Sequence, residues 1–162
     1  MNFDTKLPKE FRYTIVRKKP CQQGTYVRGC LDWNHSSFIF LKNDNDAIIR
    51  IRKGKELIGQ LVIKTGIDHL ENGNTYPLLE AWIYCFAIKP EYRKQGLGSK
   101  LLRRAEKYIK ENCPCNCIKL HAQKEFENKL IPFYIDHGYY FIDIDPVCKN
   151  EPVFFKAIES VH

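Results

Sequence analysis

The order of apolar and polar residues predicts a chain built mostly of strands. Segments in which apolar side chains alternate with polar ones, or form β-branched and aromatic runs, recur along its length. The predicted strands are residues 11–17, 38–41, 47–52, 56–63, 78–88, 117–122, 139–144 and 153–158. The turn Lys53-Gly54-Lys55 lies between two of these runs and predicts a hairpin.

Two other segments have the spacing of helices. In residues 98–111 apolar side chains recur every three or four positions, which places them on one face of a helix. Residues 125–137 predict a second helix, which Gly138 ends and Pro132 is expected to kink. Both helices come late in the chain, one after the longest predicted strand and one before the last pair of strands.

Two stretches before the long strand are less regular. Residues 25–33 are ambiguous, and we interpret them as a short helix. Residues 65–77 are polar and contain several Gly and Asn, which predicts a loop. The order of elements as a whole indicates an α+β (mixed α/β) fold built from layers.

The sequence predicts one domain rather than several. No repeat, low-complexity tract or linker divides it, so we expect a single domain at residues 11–162 and an N-terminal tail at residues 1–10. No stretch approaches the roughly 18 apolar residues of a spanning helix. The first residues lack the apolar core of a secretory signal. We therefore expect a cytoplasmic protein that makes no contact with a membrane.

The seven cysteines predict reduced thiols rather than a disulfide framework, because their number is odd and no export signal precedes them. The run Cys113-Pro114-Cys115-Asn116-Cys117 has side chains suited to a soft metal. Its single-residue gaps do not match the C-x2-C pairs of structural zinc sites. We expect no metal site, and the role of this run stays open.

The positive charge is concentrated in one segment. The net charge is +7, and residues 89–110 contain eight basic residues against two acidic ones. Basic charge spread over a surface would indicate nucleic-acid binding. Charge gathered around one glycine loop favours a compact, multiply charged anion instead, so a nucleic-acid partner is the weaker alternative.

A turn with two glycines connects the long strand to the first helix. Gly96 and Gly98 lie where the first helical N–H groups have no partner within the helix. Glycine allows a ligand to approach the backbone closely, and the helix dipole favours an anion there. The spacing matches neither the P-loop nor the dinucleotide fingerprint. From spacing alone, a phosphate-binding turn and an ordinary helix cap both remain open.

Taken whole, this stretch resembles the acetyl-CoA loop of the GNAT superfamily of N-acetyltransferases. The family pattern is Arg or Gln, two residues, Gly, one residue, then Gly or Ala, and residues 93–98 match it. The usual lead-in, an apolar strand followed by Pro-x-Tyr-Arg, is matched by residues 88–93. A second block, Phe133-Tyr134 followed by Gly138 and Tyr139, is also similar and lies about 35 residues later. The resemblance covers residues 45–158 and implies a GNAT-like central, mostly antiparallel twisted sheet flanked by helices.

The resemblance implies acetyl-CoA as cosubstrate. In the family, the strand before the loop pairs its backbone with the pantetheine arm, which implicates Phe86, Ala87 and Ile88. The backbone N–H groups of the loop hold the pyrophosphate. The loop residues implicated are Arg93, Lys94, Gln95, Gly96, Leu97, Gly98, Ser99 and Lys100.

Some cofactor contacts implied by the family concern single side chains. Lys94 and Lys100 are expected near the adenosine phosphates. The family often has an Asn seven residues before the tyrosine of the second block, where this chain has Glu127. The neighbouring Asn128 is the candidate for that contact.

The resemblance also implies an acid for the transfer. Tyr134 corresponds to the family's general acid, which protonates the leaving thiolate. A phenol with a reference pKa of about 10 is protonated at neutral pH and can give its proton to a thiolate of pKa about 8.5. The alternative is that Tyr134 only packs as an aromatic residue. The developing oxyanion is expected to be met by the backbone N–H of Ile88.

The base is expected on the long strand. The family often uses a carboxylate at the position of Trp82, which cannot serve as a base. Glu80 lies two residues earlier and, by strand alternation, on the same face as Trp82, Tyr84 and Phe86. Glu80 is therefore the predicted base. His121 and Asp68 are further candidates, and many relatives need no dedicated base.

The acceptor is not identified by the sequence. A small-molecule amine, a peptide N-terminus and a protein lysine all stay open, with direct transfer in a ternary complex as the expected mechanism. Aromatic residues available to line the pocket are Trp33, Tyr76, Trp82 and Tyr84. The main alternative is a relative that binds acyl-CoA as a sensor without turnover. A homodimer is common for the fold, and the sequence does not decide the oligomeric state.

Overall fold

The part of the chain that the structure describes contains nine strands and two helices. The computed structural model describes residues 4–19, 23–32, 35–65, 80–123 and 126–159. The elements are β1 (Arg12–Arg17), β2 (Thr25–Asp32), β3 (His35–Leu41), β4 (Ala47–Lys53), β5 (Glu56–Thr65), β6 (Glu80–Ile88), α1 (Leu97–Asn112), β7 (Cys117–His121), α2 (Glu127–Asp136), β8 (Tyr140–Asp145) and β9 (Glu151–Ala157). A short 3-10 turn, Pro90–Tyr92, connects β6 to the loop before α1.

Seven of these strands form one sheet in the order β1-β4-β5-β6-β7-β9-β8. All neighbours are antiparallel except β6 and β7, which are parallel because α1 connects them as a crossover. β2 and β3 form a separate antiparallel pair. The predicted α+β fold with a mostly antiparallel central sheet is confirmed.

The sheet is covered differently on its two faces. On one face α1 and α2 pack over a large apolar cluster that includes Ile49, Leu61 and Leu102. On the other face β3 contributes Leu41 to a smaller cluster with Ile48 and Val62. The middle of β4 is therefore buried on both sides, which explains its continuous apolar run. We call the first face the helix face and the second the outer face.

The predicted helix at residues 25–33 is wrong. Residues 25–32 form strand β2, which pairs with β3 from Thr25–Leu41 to Asp32–His35. The β-branched and aromatic run at Thr25, Tyr26 and Val27 agrees with a strand, and the partner strand supplies the hydrogen bonds. Trp33 and residues 66–77 of the predicted loop, with Asp68 and Tyr76, lie outside the described residues.

The remaining predicted elements are confirmed with small shifts of boundary. The hairpin turns at Gly54, whose φ is 59°, and α2 is followed by Gly138, whose φ is 88°. α2 continues through Pro132. Residues 4–10 form no helix or strand, but Leu7 packs against the helix-face cluster.

Candidate active site

The candidate site begins where β6 and β7 separate. They pair from Glu80–Cys117 to Ile83–Leu120 and no further. Beyond that point β7 continues to pair with β9, and the Ala122 N–H donates to the carbonyl of Pro152 at 2.9 Å. The last residues of β6 therefore have β5 on one side and a gap in the sheet on the other.

A β-bulge changes the direction of the side chains in β6. Tyr84 faces Val62 and Ala87 faces Gln60, so Cys85 and Phe86 together oppose one residue of β5. Cys85 has a φ of 51°, in the left-handed region. Tyr84 packs on the outer-face cluster, whereas Phe86 packs on the helix-face cluster. The prediction that Phe86 shares a face with Trp82 and Tyr84 is therefore wrong. It assumed that side chains alternate regularly along β6, and the bulge interrupts that alternation.

The backbone N–H of Ile88 points into the gap. Ile88 is paired with Gly59, and the next pair is joined by the Lys89 N–H, which donates to the Ile58 carbonyl at 2.7 Å. In an antiparallel ladder hydrogen-bonded and non-hydrogen-bonded pairs alternate, so Ile88 belongs to a non-hydrogen-bonded pair. Its N–H and C=O consequently face away from β5.

The glycine turn leaves the first amides of α1 open. Gly96, the residue before the helix, has a φ of 79°, and Lys94 has a φ of 63°. No side chain makes a capping hydrogen bond to the N-terminus of α1 among the residues described. The N–H groups of the first turn are therefore available to a ligand. The Leu97 side chain is buried in the core, so this residue offers only its backbone.

Two sets of contacts fix the turn to the strand before it. Arg93 donates from Nε to the Ile88 carbonyl at 2.8 Å. Glu56 accepts from Lys89 Nζ at 2.8 Å and from the Tyr92 hydroxyl at 3.1 Å. The hydrogen bond from Lys89 is the main cause that lowers the pKa of Glu56. The path from β6 into α1 is thus held in shape before any ligand binds.

A relay of hydrogen bonds connects the turn to α2. The Ser99 hydroxyl lies 2.8 Å from His137 Nε2, and His137 Nδ1 lies 2.6 Å from the carbonyl of Phe133. Because a carbonyl only accepts, Nδ1 carries a proton, and in the neutral ring Ser99 donates to Nε2. Sequence reasoning missed His137, since only the fold brings the two helices together.

An aromatic contact joins the same elements. The ring centroids of Phe86 and Phe133 are 6.1 Å apart. A Cβ added to Gly98 would lie 3.9 Å from each of these rings, which is ordinary contact. The end of β6, the start of α1 and the middle of α2 therefore meet at Gly98.

Tyr134 lies in α2, buried on the helix face. Its side chain is 3% exposed and packs against Phe133, Tyr139 and Phe154. Burial, and to a smaller extent the charge of Glu151, raises its pKa. The phenol therefore stays protonated throughout the neutral range, as a proton donor requires.

The side chains predicted to contact the cofactor differ in their surroundings. Lys94 and Gln95 are exposed in the turn, and Asn128 is exposed in the first turn of α2. Lys100 has its Nζ 3.2 Å from Oδ1 of Asp4, so its charge is partly balanced by the N-terminal segment.

On the outer face, three rings lie beside the point where the strands separate. The Trp82 and Tyr84 rings are stacked with centroids 6.0 Å apart, and the ring of His121 lies 5.2 Å from Trp82. Nε2 of His121 is 3.0 Å from Oδ2 of Asp145. Asp145 was missed by sequence reasoning, because β8 and β7 are joined only through β9 in the sheet.

Glu80, the predicted base, has partners on both carboxylate oxygens. Its Oε1 lies 2.6 Å from Lys119 Nζ, and its Oε2 accepts from Trp82 Nε1 at 3.2 Å. Glu80 therefore belongs to an ion pair at the start of β6, where β6 and β7 are still paired.

The described residues contain no group of three or more His, Cys, Asp or Glu side chains placed to hold a metal. None of their helices has the length and apolar character needed to cross a membrane.

Comparison with known proteins assigns the family. Residues 12–139 match the model of the acetyltransferase (GNAT) family, so the chain belongs to this family. A comparison with curated proteins gives no sequence match.

Solved structures show the same fold at low sequence identity. A putative streptothricin acetyltransferase from Bacillus anthracis in complex with acetyl coenzyme A has a TM-score of 0.57 and 15% identity, over 95% of this chain and 92% of that chain. An acyl-CoA N-acyltransferase from Pseudomonas aeruginosa has a TM-score of 0.57 and 19% identity, over 72% of this chain and 70% of that chain. N-acetylglutamate synthase from Neisseria gonorrhoeae, complexed with coenzyme A and L-arginine, has a TM-score of 0.51 and 14% identity, over 68% of this chain and 24% of that chain.

Proposed function

We propose that the protein transfers an acetyl group from acetyl-CoA to an amine, directly and within a ternary complex. The observation that supports this most is the arrangement around the end of β6. The Ile88 N–H faces the gap in the sheet, and the open first-turn amides of α1 follow a few residues later. One extended ligand with a diphosphate at one end and an amide-bearing arm satisfies both sets of donors.

The chain's own residues would bind acetyl-CoA at three places. The amides of residues 94–99 receive the pyrophosphate, aided by the positive end of α1, because the Arg93 N–H already donates to the Pro90 carbonyl at 3.3 Å. The backbone of Phe86, Ala87 and Ile88 pairs with the pantetheine arm in the gap between β6 and β7. The exposed Lys94 in the turn and Lys100 in the first turn of α1 screen the phosphates, and the exposed Asn128 contacts the cofactor arm.

The chemical step needs an oxyanion donor and an acid. A backbone N–H of β6 beside the thioester donates to its carbonyl, whose oxygen becomes negative as the amine attacks. Ile88 lies four residues beyond Tyr84, at the end of β6 nearer the turn, so its N–H pairs with the pantetheine arm instead. The N–C bond forms, the C–S bond breaks, the nitrogen releases a proton to solvent, and the Tyr134 hydroxyl gives its proton to the leaving thiolate. Solvent then restores the proton of Tyr134.

An assay of thiol release tests this function. The protein is incubated with acetyl-CoA and, in turn, spermidine, tryptamine and a lysine-containing peptide. We expect amine-dependent release of free thiol, and we expect Tyr134→Phe to lower kcat roughly 10²–10⁴-fold, the usual contribution of a positioned acid. Tyr140→Phe is the matched control, because Tyr140 is 55% exposed on β8.

Three other outcomes would change the conclusion. Tight binding of acetyl-CoA, measured by calorimetry, without thiol release for any amine would favour a non-catalytic acyl-CoA sensor. Absence of acetyl-CoA binding would overturn the proposed function and the sensor together. Binding that weakens steeply with salt and extends to any polyanion would favour a nucleic-acid partner.

A further inference from the structure

We propose that His121 is the general base for the acceptor amine and that Asp145 positions it. This inference rests on the proposed function, because it concerns the same transfer reaction. It assigns the acceptor to the outer face of the sheet, the face opposite Tyr134. It also replaces Glu80, which the sequence favoured, as the residue that takes the proton.

The position of His121 supports this role. Leu120 is the last residue of β7 paired with β6, and His121 is the next residue. Tyr84 is the corresponding next residue of β6, and its ring lies 6.3 Å from that of His121. His121 therefore borders the gap at the point where it opens, which is where the acetyl end of the arm would lie.

The hydrogen bond to Asp145 fixes which nitrogen is free. Interaction with His121 is the main cause that lowers the pKa of Asp145, so this carboxylate is ionised and can only accept a proton. Nε2 of His121 must then carry the hydrogen of the 3.0 Å contact. In the neutral ring Nδ1 consequently has the free lone pair, and it has no hydrogen-bond partner in the described part of the chain.

Asp145 is itself held in place. Its second oxygen, Oδ1, accepts from the backbone N–H of Val147 at 3.0 Å. The backbone carbonyl of Asp145 accepts from the Cys148 N–H at 3.2 Å. The turn after β8 therefore fixes the carboxylate before substrate arrives, which is what a positioning residue requires.

Four other titratable groups on this face, Lys119, Glu80, Tyr84 and Cys148, are paired or neutral. Lys119 and Glu80 form an ion pair with each other at 2.6 Å. Burial raises the pKa of Tyr84 to about 12, so it stays neutral. Cys148, in the turn after β8, donates to Glu151 and has its pKa raised by burial. Unlike these groups, His121 has a ring nitrogen, Nδ1, that is open to accept a proton from an amine.

The proton balance of the step is complete. A primary ammonium gives one proton to Nδ1 of His121, and the neutral amine attacks the thioester carbonyl. As the C–S bond breaks, Tyr134 on the helix face protonates the thiolate. The nitrogen releases its second proton to solvent, His121 loses its proton to solvent, and Tyr134 regains one. The products are therefore the amide, free coenzyme A thiol and one net proton.

Kinetics with two kinds of amine test the proposal. With an amine that is charged at pH 7, chosen from spermidine, tryptamine and the lysine-containing peptide, we expect His121→Ala to lower kcat roughly 10²–10⁴-fold. Hydroxylamine is largely unprotonated at neutral pH and needs no base, so its reaction should lose far less. Asp145→Asn should lower kcat and move the acidic limb of the kcat–pH profile to lower pH, because removing the negative charge makes the imidazole harder to protonate.

Matched variants separate a chemical role from a structural one. Asp143→Asn makes the same change two residues earlier on β8, at an exposed position, and should leave the profile unchanged. Glu80→Gln should also leave the acidic limb in place, and loss of that limb in Glu80→Gln would overturn the proposal in favour of Glu80. Equal losses for charged amines and hydroxylamine in His121→Ala would overturn it as well.

Two measurements keep this inference distinct from the proposed function. Calorimetry should show that His121→Ala and Asp145→Asn bind acetyl-CoA like the parent protein. If the parent protein does not bind or cleave acetyl-CoA, the proposed function itself fails. Nitrogen NMR of the parent protein should show the Nε2–H tautomer of His121, and finding the Nδ1–H tautomer would overturn the inference whatever the activity.

Discussion

Gly96 is the residue on which the binding turn depends. Its φ of 79° is costly for any residue with a Cβ, and its position adjoins the open amides. Gly54 has a φ of 59° in the β4–β5 turn, and a Cβ at either glycine would have nothing within 4 Å. Both positions therefore require a left-handed backbone, but only Gly96 lies in the turn before α1.

This pair gives the first prediction. Gly96→Ala and Gly54→Ala should each lower the free energy of unfolding by about 1–2 kcal/mol, the cost of a left-handed residue with a side chain. Only Gly96→Ala should weaken acetyl-CoA binding, because only it changes the turn that holds the pyrophosphate. Denaturant unfolding and calorimetry measure the two effects, and an equal loss of affinity in Gly54→Ala would contradict the assignment.

The buried phenol of Tyr134 gives a second prediction at the same scale. Its pKa is raised by burial, so the acid form persists to higher pH than in an exposed tyrosine. In the parent protein, loss of the Tyr134 proton should not lower kcat at any pH up to about 10, which is the ordinary pKa of tyrosine. A kcat–pH profile checks this, and an alkaline limb near pH 8 that vanishes in Tyr134→Phe would contradict it.

At the scale of elements, α1 is tied to β8 and β9 by one buried carboxylate. Glu106 is 1% exposed and accepts from Arg103, from the Tyr139 hydroxyl at 3.1 Å and from Lys156 Nζ at 2.7 Å. Lys156 also donates to the carbonyl of His137 at 2.7 Å. The carboxylate thus links the helix that presents the turn to the end of α2.

Removing that charge should destabilise the protein strongly. Glu106→Gln leaves the largely buried Lys156 without its counter-charge, and we expect a loss of about 3–5 kcal/mol in the free energy of unfolding. Glu111→Gln, at an exposed position in the last turn of α1, should cost about 0.5 kcal/mol or less. Denaturant unfolding of both variants measures the difference, and similar losses would show that Glu106 does not tie the elements.

The sequence predicted the elements whose signals are local. The hairpin around Gly54 and the apolar stripe of α1 are local patterns, and the structure confirms them. The bulge at Cys85 could not be predicted, because it depends on how β6 lies against β5. Residues 25–32 were misread for a similar reason, since their hydrogen bonds come from β3.

At the scale of the molecule, the site combines parts from distant stretches of sequence. Motif spacing was enough to propose the glycine turn and Tyr134, which belong to two blocks of the family pattern. The contact of His121 with Asp145 spans 24 residues and passes through β9. No local pattern encodes that contact, so only the folded sheet could suggest it.

In the folded protein, part of the positive charge of the basic segment is used in ion pairs. In the sequence, residues 89–110 form a block of positive charge. In the structure Lys89 is paired with Glu56, Lys100 with Asp4 and Arg103 with Glu106. Part of the charge therefore stabilises the fold, and less is available for a long polyanion than the sequence alone indicates.

The proposed function requires that the turn before α1 and the gap beside β6 together hold one acetyl-CoA molecule. A crystal structure of the complex tests this directly. We predict the diphosphate on the amides of residues 94–99, the pantetheine arm along residues 86–88 with one of its amide carbonyls on the N–H of Ile88, and the acetyl group beside Tyr84 and His121. Acetyl-CoA bound elsewhere, with the turn empty and the Ile88 N–H without a ligand, would contradict the account.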